Sequence, residues 1–314
     1  MKAKMLELKE KIIKATDILI VTHVSPDGDA LGSSTALKIY VEKLGKKADL
    51  FVREKISEKF SSVSSYFEVK EKTDHKYGLV IYVDCADEKR VDVEFPKPEF
   101  SCMIDHHISN PMECDINIVD GNAPAAGEIV YELYKNTGVC LDENSAKAIY
   151  LAILTDTGGF IYEGTRKRTL EIVSELYDYD FNRTEIVTQA MLKKSMLFNK
   201  LFAYVMENAV ILDNRAAIAF LDNDIYKNNK IMSTDTDGLS NALKDIEGIK
   251  CGILLTEKDE GYIKGSIRTD SPIDATCIAA LFGGGGHVRA AGFRTDKKFE
   301  EIKEKINGWL LTCK

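Results

Sequence analysis

Five short apolar runs near the N-terminus constrain the fold more than any other feature of this sequence. They are rich in Val and Ile and cover residues 17–22, 47–52, 78–84, 100–104 and 116–119. Each run is nearly continuous instead of alternating with polar residues, which is typical of strands that helices cover on both faces. Helical spacing follows at residues 30–44, 125–136 and 143–154. We therefore predict an α/β fold whose N-terminal part is a doubly wound, mostly parallel sheet.

The second part of the chain follows a different pattern. Residues 183–206 have helical spacing without Gly or Pro, so they predict a helical connector, although a packing helix of the first lobe fits equally well. Beyond them, short β-patterns precede a last helix. A chain of 314 residues exceeds a typical single core. We predict a first domain at residues 1–185, a helical linker at 186–208 and a smaller α/β domain at 209–314.

Ionisable side chains collect where the segments of the first domain end. In chain order they are His23, Asp27, Asp29, Asp84, Asp105, His106, His107 and Asp156. The first three occupy one Gly/Pro loop, and the others follow apolar segments. A single Asp at a strand end is usually a cap or a solvated turn residue. Because ligands gather at the carboxyl ends of parallel strands, we instead expect this whole set to converge on one rim of the sheet.

Such a cluster predicts bound metal. Several carboxylates in one place repel one another unless cations compensate them. Asp and His ligands without thiolate suit Mn²⁺ best, with Mg²⁺, Co²⁺ or Fe²⁺ as substitutes. The ligands are too many for one ion, so we expect two. Two ions roughly 3.5–4 Å apart can share a hydroxide and clamp a phosphoryl oxygen during in-line displacement. The cluster therefore predicts hydrolysis of phosphoesters.

A second candidate site lies in the smaller domain. Four consecutive glycines at residues 283–286 precede His287. Glycine lets the backbone approach a ligand closely, and successive N–H groups can form an anion-binding nest. Taken alone, such a run would more simply be a flexible loop. Beside the acidic cluster of the first domain, we interpret it as a phosphate-binding segment.

Composition excludes several classes of protein. The formal charge of −8 argues against non-specific binding to long duplex nucleic acid, because such binding needs many Lys and Arg contacts to phosphate. The seven cysteines include no Cys-x-x-Cys pair, so neither structural zinc nor a disulfide framework is expected. The N-terminal residues predict a charged amphipathic helix without a signal peptide or membrane span. We expect a cytoplasmic protein, for which a homodimer is compatible with the sequence.

Five sequence motifs resemble those of a known family. Four segments, at residues 23–32, 83–87, 104–107 and 154–158, read HVSPDGDALG, VDCAD, IDHH and LTDTG, and they resemble the successive motifs of the DHH phosphoesterases. The segment GGGGHVRAAGF at 283–293 resembles the glycine-rich signature of the associated DHHA1 domain. The two-domain plan is most similar to the NrnA group. That resemblance implies hydrolysis of very short RNA (nanoRNA) and of 3′-phosphoadenosine 5′-phosphate.

The resemblance also implies a role for each site residue. One ion would be held by His23, Asp27 and Asp84, and the second by Asp29, Asp84, His106 and Asp156, so that Asp84 bridges the two. His107 would face the scissile phosphate, and Asp105 would orient an imidazole. In the DHHA1 domain the residues implied for the distal phosphate and the nucleotide are Arg268, Gly284, Gly285, Gly286 and His287, with Arg289 as a weaker candidate.

Some alternatives stay open at this level. The same chemistry could act on linear pApA or cyclic di-AMP, and a non-catalytic nucleotide sensor would keep the fold for binding alone. Inorganic pyrophosphate is a poor candidate, because the Lys- and Arg-rich C-terminal motif of that branch is absent from the sequence. Longer single-stranded DNA is disfavoured by the lack of a basic surface run. One departure from the family is Gly159, which stands where many relatives carry a larger residue before the aromatic Phe160.

Overall fold

The chain divides into two compact units. The computed structural model describes residues 1–85, 87–107, 111–229, 231, 233–258 and 261–312. Contacts separate Met1–Lys193 from Lys194–Lys314. In the part of the chain that is described, none of the helices has the length and apolar character that a bilayer span requires.

The first unit contains a six-stranded sheet in which all paired strands are parallel. Its strands are β1 (Ile18–Val21), β2 (Asp49–Val52), β3 (Glu68–Val69), β4 (Leu79–Val83), β5 (Phe100–Asp105) and β6 (Ile116–Val119). The order is β3-β2-β1-β4-β5-β6, and every residue of the central strands β1 and β4 is buried. This confirms the predicted fold class. Strand β3 was not predicted, because its two residues are exposed and carry no apolar pattern.

Seven α-helices accompany this sheet among the described residues. They are α1 (Lys2–Lys14), α2 (Gly28–Lys43), α3 (Ser61–Ser64), α4 (Ala126–Thr137), α5 (Glu143–Asp156), α6 (Lys167–Leu176) and α7 (Arg183–Val187). Helix α5 begins with a capping box formed by Asp142 and Ser145, and α4 ends at Gly138 in the left-handed conformation. Helices α2 and α5 approach closely at Gly32, where a Cβ atom would collide with the carbonyl oxygen of Ala148. Glycine is therefore needed at that crossing.

The predicted connector is not one continuous helix. Helix α7 passes into a π-helical turn at Thr188–Leu192, and helix α8 (Met196–Glu207) begins with Ser195 as its cap. The change from one unit to the other falls between Lys193 and Lys194. The helical linker at 186–208 and the domain boundaries on either side of it remain predictions.

The second unit is a smaller α/β structure with a mixed sheet. Its strands are β7 (Val210–Leu212), β8 (Ala216–Leu221), β9 (Cys251–Glu257), β10 (Ile263–Thr269), β11 (Gly285–His287) and β12 (Ala290–Thr295). Their order is β11-β12-β10-β9-β8-β7. Among the described strands of this second sheet, only the β8–β9 pair is parallel. The remaining helices are α9 (Asn223–Asn229), α10 (Leu239–Lys244), α11 (Ala275–Ala280) and α12 (Phe299–Thr312). The smaller α/β unit agrees with the predicted fold class; the mixed strand directions of its sheet were not predicted.

Candidate metal centre

Asp84 is the centre of the candidate site. It directly follows β4, is buried, and adopts the left-handed backbone conformation with φ of 52°. Few residues other than glycine take this conformation, and it is stabilised here by a hydrogen bond from the Asp84 N–H to the carbonyl of Ile104, at 3.0 Å. His23 Nε2 lies 3.6 Å from Asp84 Oδ2, and His106 Nε2 lies 3.4 Å from Asp84 Oδ1. The carboxylate therefore has an imidazole beside each of its oxygens.

Three groups of potential metal ligands meet around this carboxylate. One consists of His23, Asp27 and Asp84, a second of Asp29, His106 and Asp156, and a third of Asp84, Asp105, His106 and His107; within each group the ligand atoms all lie within 4.8 Å of one another. His106 Nε2 is 3.4 Å from Asp156 Oδ2 and 3.8 Å from Asp29 Oδ2. The structure thus brings together all six side chains that the resemblance assigned to metal.

The two imidazoles are both oriented as metal ligands. His23 Nδ1 lies 2.9 Å from the carbonyl oxygen of Val24, and His106 Nδ1 lies 3.2 Å from that of Ala123. A carbonyl oxygen can only accept, so each Nδ1 carries a hydrogen. In the neutral rings, Nε2 is then the atom with the lone pair, and it is the atom that faces the carboxylates. This arrangement, in which a backbone carbonyl holds the distal nitrogen, is typical of histidines that bind metal.

One site residue lies on a different element from the one predicted. Asp29 was expected on a loop, but helix α2 already begins at Gly28, because Asp27 caps it by accepting hydrogen bonds from the N–H groups of Asp29 and Ala30. Asp156 was expected just after the helix at 143–154 and is the last residue of helix α5. A helix start and a helix end thus bring these two carboxylates to the rim.

Asp105 and His107 form a hydrogen-bonded pair within the third group, in which His107 Nδ1 also lies 3.6 Å from Asp84 Oδ1. Asp105 is fully buried at the end of β5, and its Oδ1 accepts hydrogen bonds from the N–H groups of His106 and His107. The same oxygen lies 2.8 Å from Nδ1 of His107. The contact with Asp105 raises the pKa of His107. The carboxylate therefore sets both the backbone turn and the orientation of this imidazole.

The electrostatics of the cluster show a shortage of positive charge. Burial, with the charge of Asp84 beside it, raises the pKa of Asp29 to about 7. Burial and the charge of Asp29 raise the pKa of Asp156 to about 8. Burial disfavours the charged form of His106, but the neighbouring carboxylates outweigh it and raise its pKa to about 10. Burial also acts against ionised Asp84, yet the imidazoles of His106 and His23 lower its pKa to about 2. At neutral pH the cluster thus retains protons that cations could replace.

The donor set fits divalent metal. Asp84 Oδ1 is buried and accepts no hydrogen bond of normal geometry from any described residue, although such an acceptor costs free energy when it has no partner. Carboxylate oxygens and imidazole nitrogens without thiolate suit Mn²⁺ and similar ions. A buried oxygen without a hydrogen bond of normal geometry, beside two oriented imidazoles, therefore fits a site that could hold a cation.

Proton release should make metal binding depend on pH. The pKa values of Asp29 and Asp156 lie above the ordinary value of 3.8, so the metal-free fold binds protons more tightly than the unfolded chain does. Its stability should consequently fall as the pH rises from about 4 to about 8. Metal needs the ionised carboxylates and should bind more tightly over the same range. We expect Mn²⁺ to raise the melting temperature of EDTA-treated protein by about 3 °C more at pH 8 than at pH 6.

The control for this measurement is Asp178→Asn, which removes an exposed carboxylate outside the ligand groups. The difference between the two pH values should stay the same in this variant. An equal Mn²⁺-induced shift at pH 6 and pH 8 in the unmodified protein would contradict the proton-release account.

In the second unit, the glycine run forms a packed hairpin and is not a flexible loop. Gly285 and Gly286 lie in β11, which pairs with β12. A Cβ atom on Gly284 would collide with the carbonyl oxygen of Gly292, and one on Gly286 would lie 2.5 Å from that of Ala290. Gly285, by contrast, has open space around the position of a Cβ atom. Close backbone packing therefore explains the glycines at 284 and 286, but not the one at 285.

Arg268 and His287 lie on one face of the second sheet. Ala290 on β12 is paired with Arg268 on β10 and with His287 on β11. Residues directly opposite one another in antiparallel strands point to the same face, and two strand spacings separate these two side chains, about 10 Å. Arg268 is partly buried, and its Nη1 donates to the carbonyl of Ile267 at 3.0 Å. Arg289 donates in the same way to the carbonyl of Ile273, at 3.0 Å.

The departure at Gly159 has a local explanation. Gly158, Gly159 and Phe160 all have positive φ, at 59°, 76° and 72°. Three successive left-handed residues turn the chain sharply after Asp156. Glycine takes this conformation without strain, whereas a larger residue at position 159 would be strained in the same turn.

Comparison with known proteins agrees with the geometry. The model of the DHH family, N-terminal domain, matches residues 17–153, and that of the DHHA1 domain matches residues 214–312. The probable bifunctional oligoribonuclease and PAP phosphatase NrnA of Streptococcus mutans is 31% identical over 282 residues, covering 89% of this chain and 90% of that protein. The Bacillus subtilis oligoribonuclease and PAP phosphatase NrnA is 29% identical over 290 residues, covering 91% of each chain.

Solved structures show the same architecture. An exopolyphosphatase-related protein from Bacteroides fragilis superposes with a TM-score of 0.87 and 25% identity, covering 99% of this chain and 96% of that one. RecJ from Thermus thermophilus shares the fold, with a TM-score of 0.53 and 13% identity over all of this chain and 55% of that one.

The chain belongs to the DHH family, and it is a phosphoesterase with a DHHA1 domain. Within that family it is similar to the NrnA proteins along nearly its whole length. The predictions of family, fold class and enzyme class are thereby confirmed.

Proposed function

We propose that this phosphoesterase hydrolyses short oligoribonucleotides and 3′-phosphoadenosine 5′-phosphate with two divalent ions, most simply Mn²⁺. The observation that carries the proposal is the convergence of the ligand groups on the buried carboxylate of Asp84, whose Oδ1 accepts no hydrogen bond of normal geometry from any described residue. The named activities of the similar NrnA proteins support this choice of substrates.

The assignment of residues to the two ions follows the first two groups of potential ligands, with Asp84 added to the second. His23, Asp27 and Asp84 would hold one ion, and Asp29, Asp84, His106 and Asp156 would hold the other. When bound, such ions activate water as a nucleophile and neutralise the charge that develops on a phosphoryl group. Asp84 can serve both groups because an imidazole of each group lies against a different one of its oxygens.

His107 has a different task. Its Nδ1 is held by Asp105, and about a third of its side chain is exposed, so the ring is both oriented and accessible. We infer that it donates a hydrogen bond or a proton to the phosphate of the substrate. The pKa of His107 is raised by Asp105, which favours the protonated, donating form.

We infer that the second unit, taken by itself, offers donors for a nucleotide phosphate. Arg268 and His287 on one sheet face offer donors to a phosphate, and Gly284, Gly285 and Gly286 bring the backbone of the hairpin close to them. Arg289 would assist from the end of β11. The open position of Gly285 marks the part of the hairpin backbone that a ligand can approach.

The test is an assay of 3′-phosphoadenosine 5′-phosphate and of RNA from dimers to pentamers, with Mn²⁺ and with EDTA. We expect turnover of these substrates with Mn²⁺ and none with EDTA, and slower turnover of longer RNA. Linear pApA and cyclic di-AMP belong in the same experiment, because faster hydrolysis of either would reassign the substrate. Tight nucleotide binding without any product under every divalent ion would replace the proposal with a nucleotide sensor.

A further inference from the structure

The first turn of helix α4 contacts two of the candidate metal ligands. The carbonyl oxygen of Ala123, just before the helix, faces Nδ1 of His106 at 3.2 Å. The N–H groups of Ala126 and Gly127 donate to the two carboxylate oxygens of Asp29, at 2.6 and 3.0 Å. A displacement of this turn would therefore move an imidazole and a carboxylate of the same ligand group.

The contacts with Asp29 follow from the sequence of the helix start. The N-terminal N–H groups of a helix need acceptors, and a polar side chain at the cap position normally supplies one. Helix α4 has Ala125 at that position and no side-chain cap of its own. Asp29, which is distant in sequence, takes over this role, while Ser33 donates to the same carboxylate at 2.7 Å. The helix start and the carboxylate therefore hold each other in place.

An ion pair with a buried carboxylate fixes this turn to the start of helix α6. Glu128 lies in the first turn of α4 and is 1% exposed. Its Oε1 accepts hydrogen bonds from Nε of Arg166, at 3.1 Å, and from Nη2 of the same guanidinium. Its Oε2 accepts from the hydroxyl of buried Thr169, at 2.9 Å. Arg166 is the N-cap residue of α6, and Thr169 lies in its first turn. Both oxygens of Glu128 are thus bound to the start of α6.

We propose that Glu128 and Arg166 are positioning residues for the metal centre. They hold the first turn of α4 so that Asp29 and the Nε2 atom of His106 keep the geometry that a divalent ion requires. The inference rests on the proposed function, because it assumes that this ligand group binds metal. Neither residue belongs to the ligand set, so their effect has to pass through the helix.

The structure offers a matched control one turn along the same two helices. Glu132 on α4 accepts hydrogen bonds from Nε and Nη2 of Arg168 on α6, at 2.9 and 2.6 Å. This pair has the same chemistry and joins the same helices, but the side chain of Glu132 is 27% exposed whereas that of Glu128 is buried. The two arginine side chains are similarly exposed, at 37% for Arg168 and 34% for Arg166. No described contact links the Glu132–Arg168 pair to a candidate ligand. The Glu132–Arg168 pair therefore separates the positioning of metal ligands from the general stabilising effect of an ion pair between α4 and α6.

The experiment compares Glu128→Gln and Arg166→Lys with Glu132→Gln in the full-length protein. Mn²⁺ binding to EDTA-treated protein is measured by calorimetry, and circular dichroism checks that each variant is folded. We expect Glu128→Gln and Arg166→Lys to weaken Mn²⁺ binding about 10-fold or more. Glu132→Gln should change it less than about twofold, because exposed ion pairs contribute little. The activity of Glu128→Gln should recover at high Mn²⁺, with the KM for nucleotide unchanged.

The outcomes separate this inference from the proposed function. Unchanged Mn²⁺ affinity in folded Glu128→Gln or Arg166→Lys protein would overturn it, and so would an equal loss of affinity in Glu132→Gln. In either case the proposed function would stand. If the unmodified protein bound no Mn²⁺, the proposed function would fail first and the positioning role with it. Arg166→Lys keeps the charge, so it remains informative if Glu128→Gln does not fold.

Discussion

Replacing Asp84 with asparagine should lower kcat/KM by a factor on the order of 10³ or more, because the change removes the one carboxylate that the two proposed ligand sets share. The amide keeps the size of the side chain but loses the charge and one potential metal-binding oxygen. Asparagine also tolerates the left-handed conformation that residue 84 adopts, with φ of 52°. The fold should therefore survive, and the loss should lie in metal binding and turnover.

Steady-state kinetics with Mn²⁺ measure the effect, and Asp178→Asn is the matched control. Asp178 is exposed and lies outside the ligand groups, so the same carboxylate-to-amide change there should leave kcat/KM within about twofold of the unmodified value. Comparable turnover by Asp84→Asn and the unmodified protein would rule out the shared-carboxylate mechanism.

Replacing His107 with alanine should reduce kcat by about 10²–10⁴, the range expected when a positioned proton donor is lost. Mn²⁺ affinity should change little, because His107 belongs to neither of the two proposed ligand sets. A fall in Mn²⁺ affinity as large as the fall in kcat would instead make His107 a metal ligand. Calorimetry and single-turnover rates on the same preparation distinguish the two roles.

Asp105→Asn gives an independent test of how Asp105 sets the pKa of His107. The carboxylate raises the pKa of His107, so its loss should lower that pKa. If protonated His107 is the active form, the rate falls as the pH rises through this pKa. The descending limb of the pH–rate profile should therefore move to lower pH in Asp105→Asn. A limb that stays in place would show that another group donates the proton.

Much of the fold could be predicted because its physical signals are local. Continuous apolar runs predicted every central strand of the parallel sheet, and the acidic residues follow those runs where the strands end. The edge strand Glu68–Val69 could not be found in this way, since it is two residues long and exposed. Helical spacing likewise predicted α5, although it placed the end two residues before Asp156.

The candidate site was predictable in its composition but not in its supporting contacts. The spacing of His23, Asp27 and Asp29 together with the later Asp-His-His motif identified the residues that converge. Nothing local in the sequence indicates that Asp29 caps a helix about a hundred residues away, or that Glu128 is bound to Arg166. These contacts depend on tertiary packing between helices. The one available signal was Ala125 at the start of α4, a helix without a polar cap residue of its own.

The most direct test of the central claim is a crystal of the protein grown with Mn²⁺ and measured at the manganese absorption edge. The account predicts two anomalous peaks on either side of the Asp84 carboxylate. One should be bound by His23 and Asp27, and the other by Asp29, His106 and Asp156. A fully loaded crystal with no peak at Asp84, or with manganese bound only elsewhere, would contradict it.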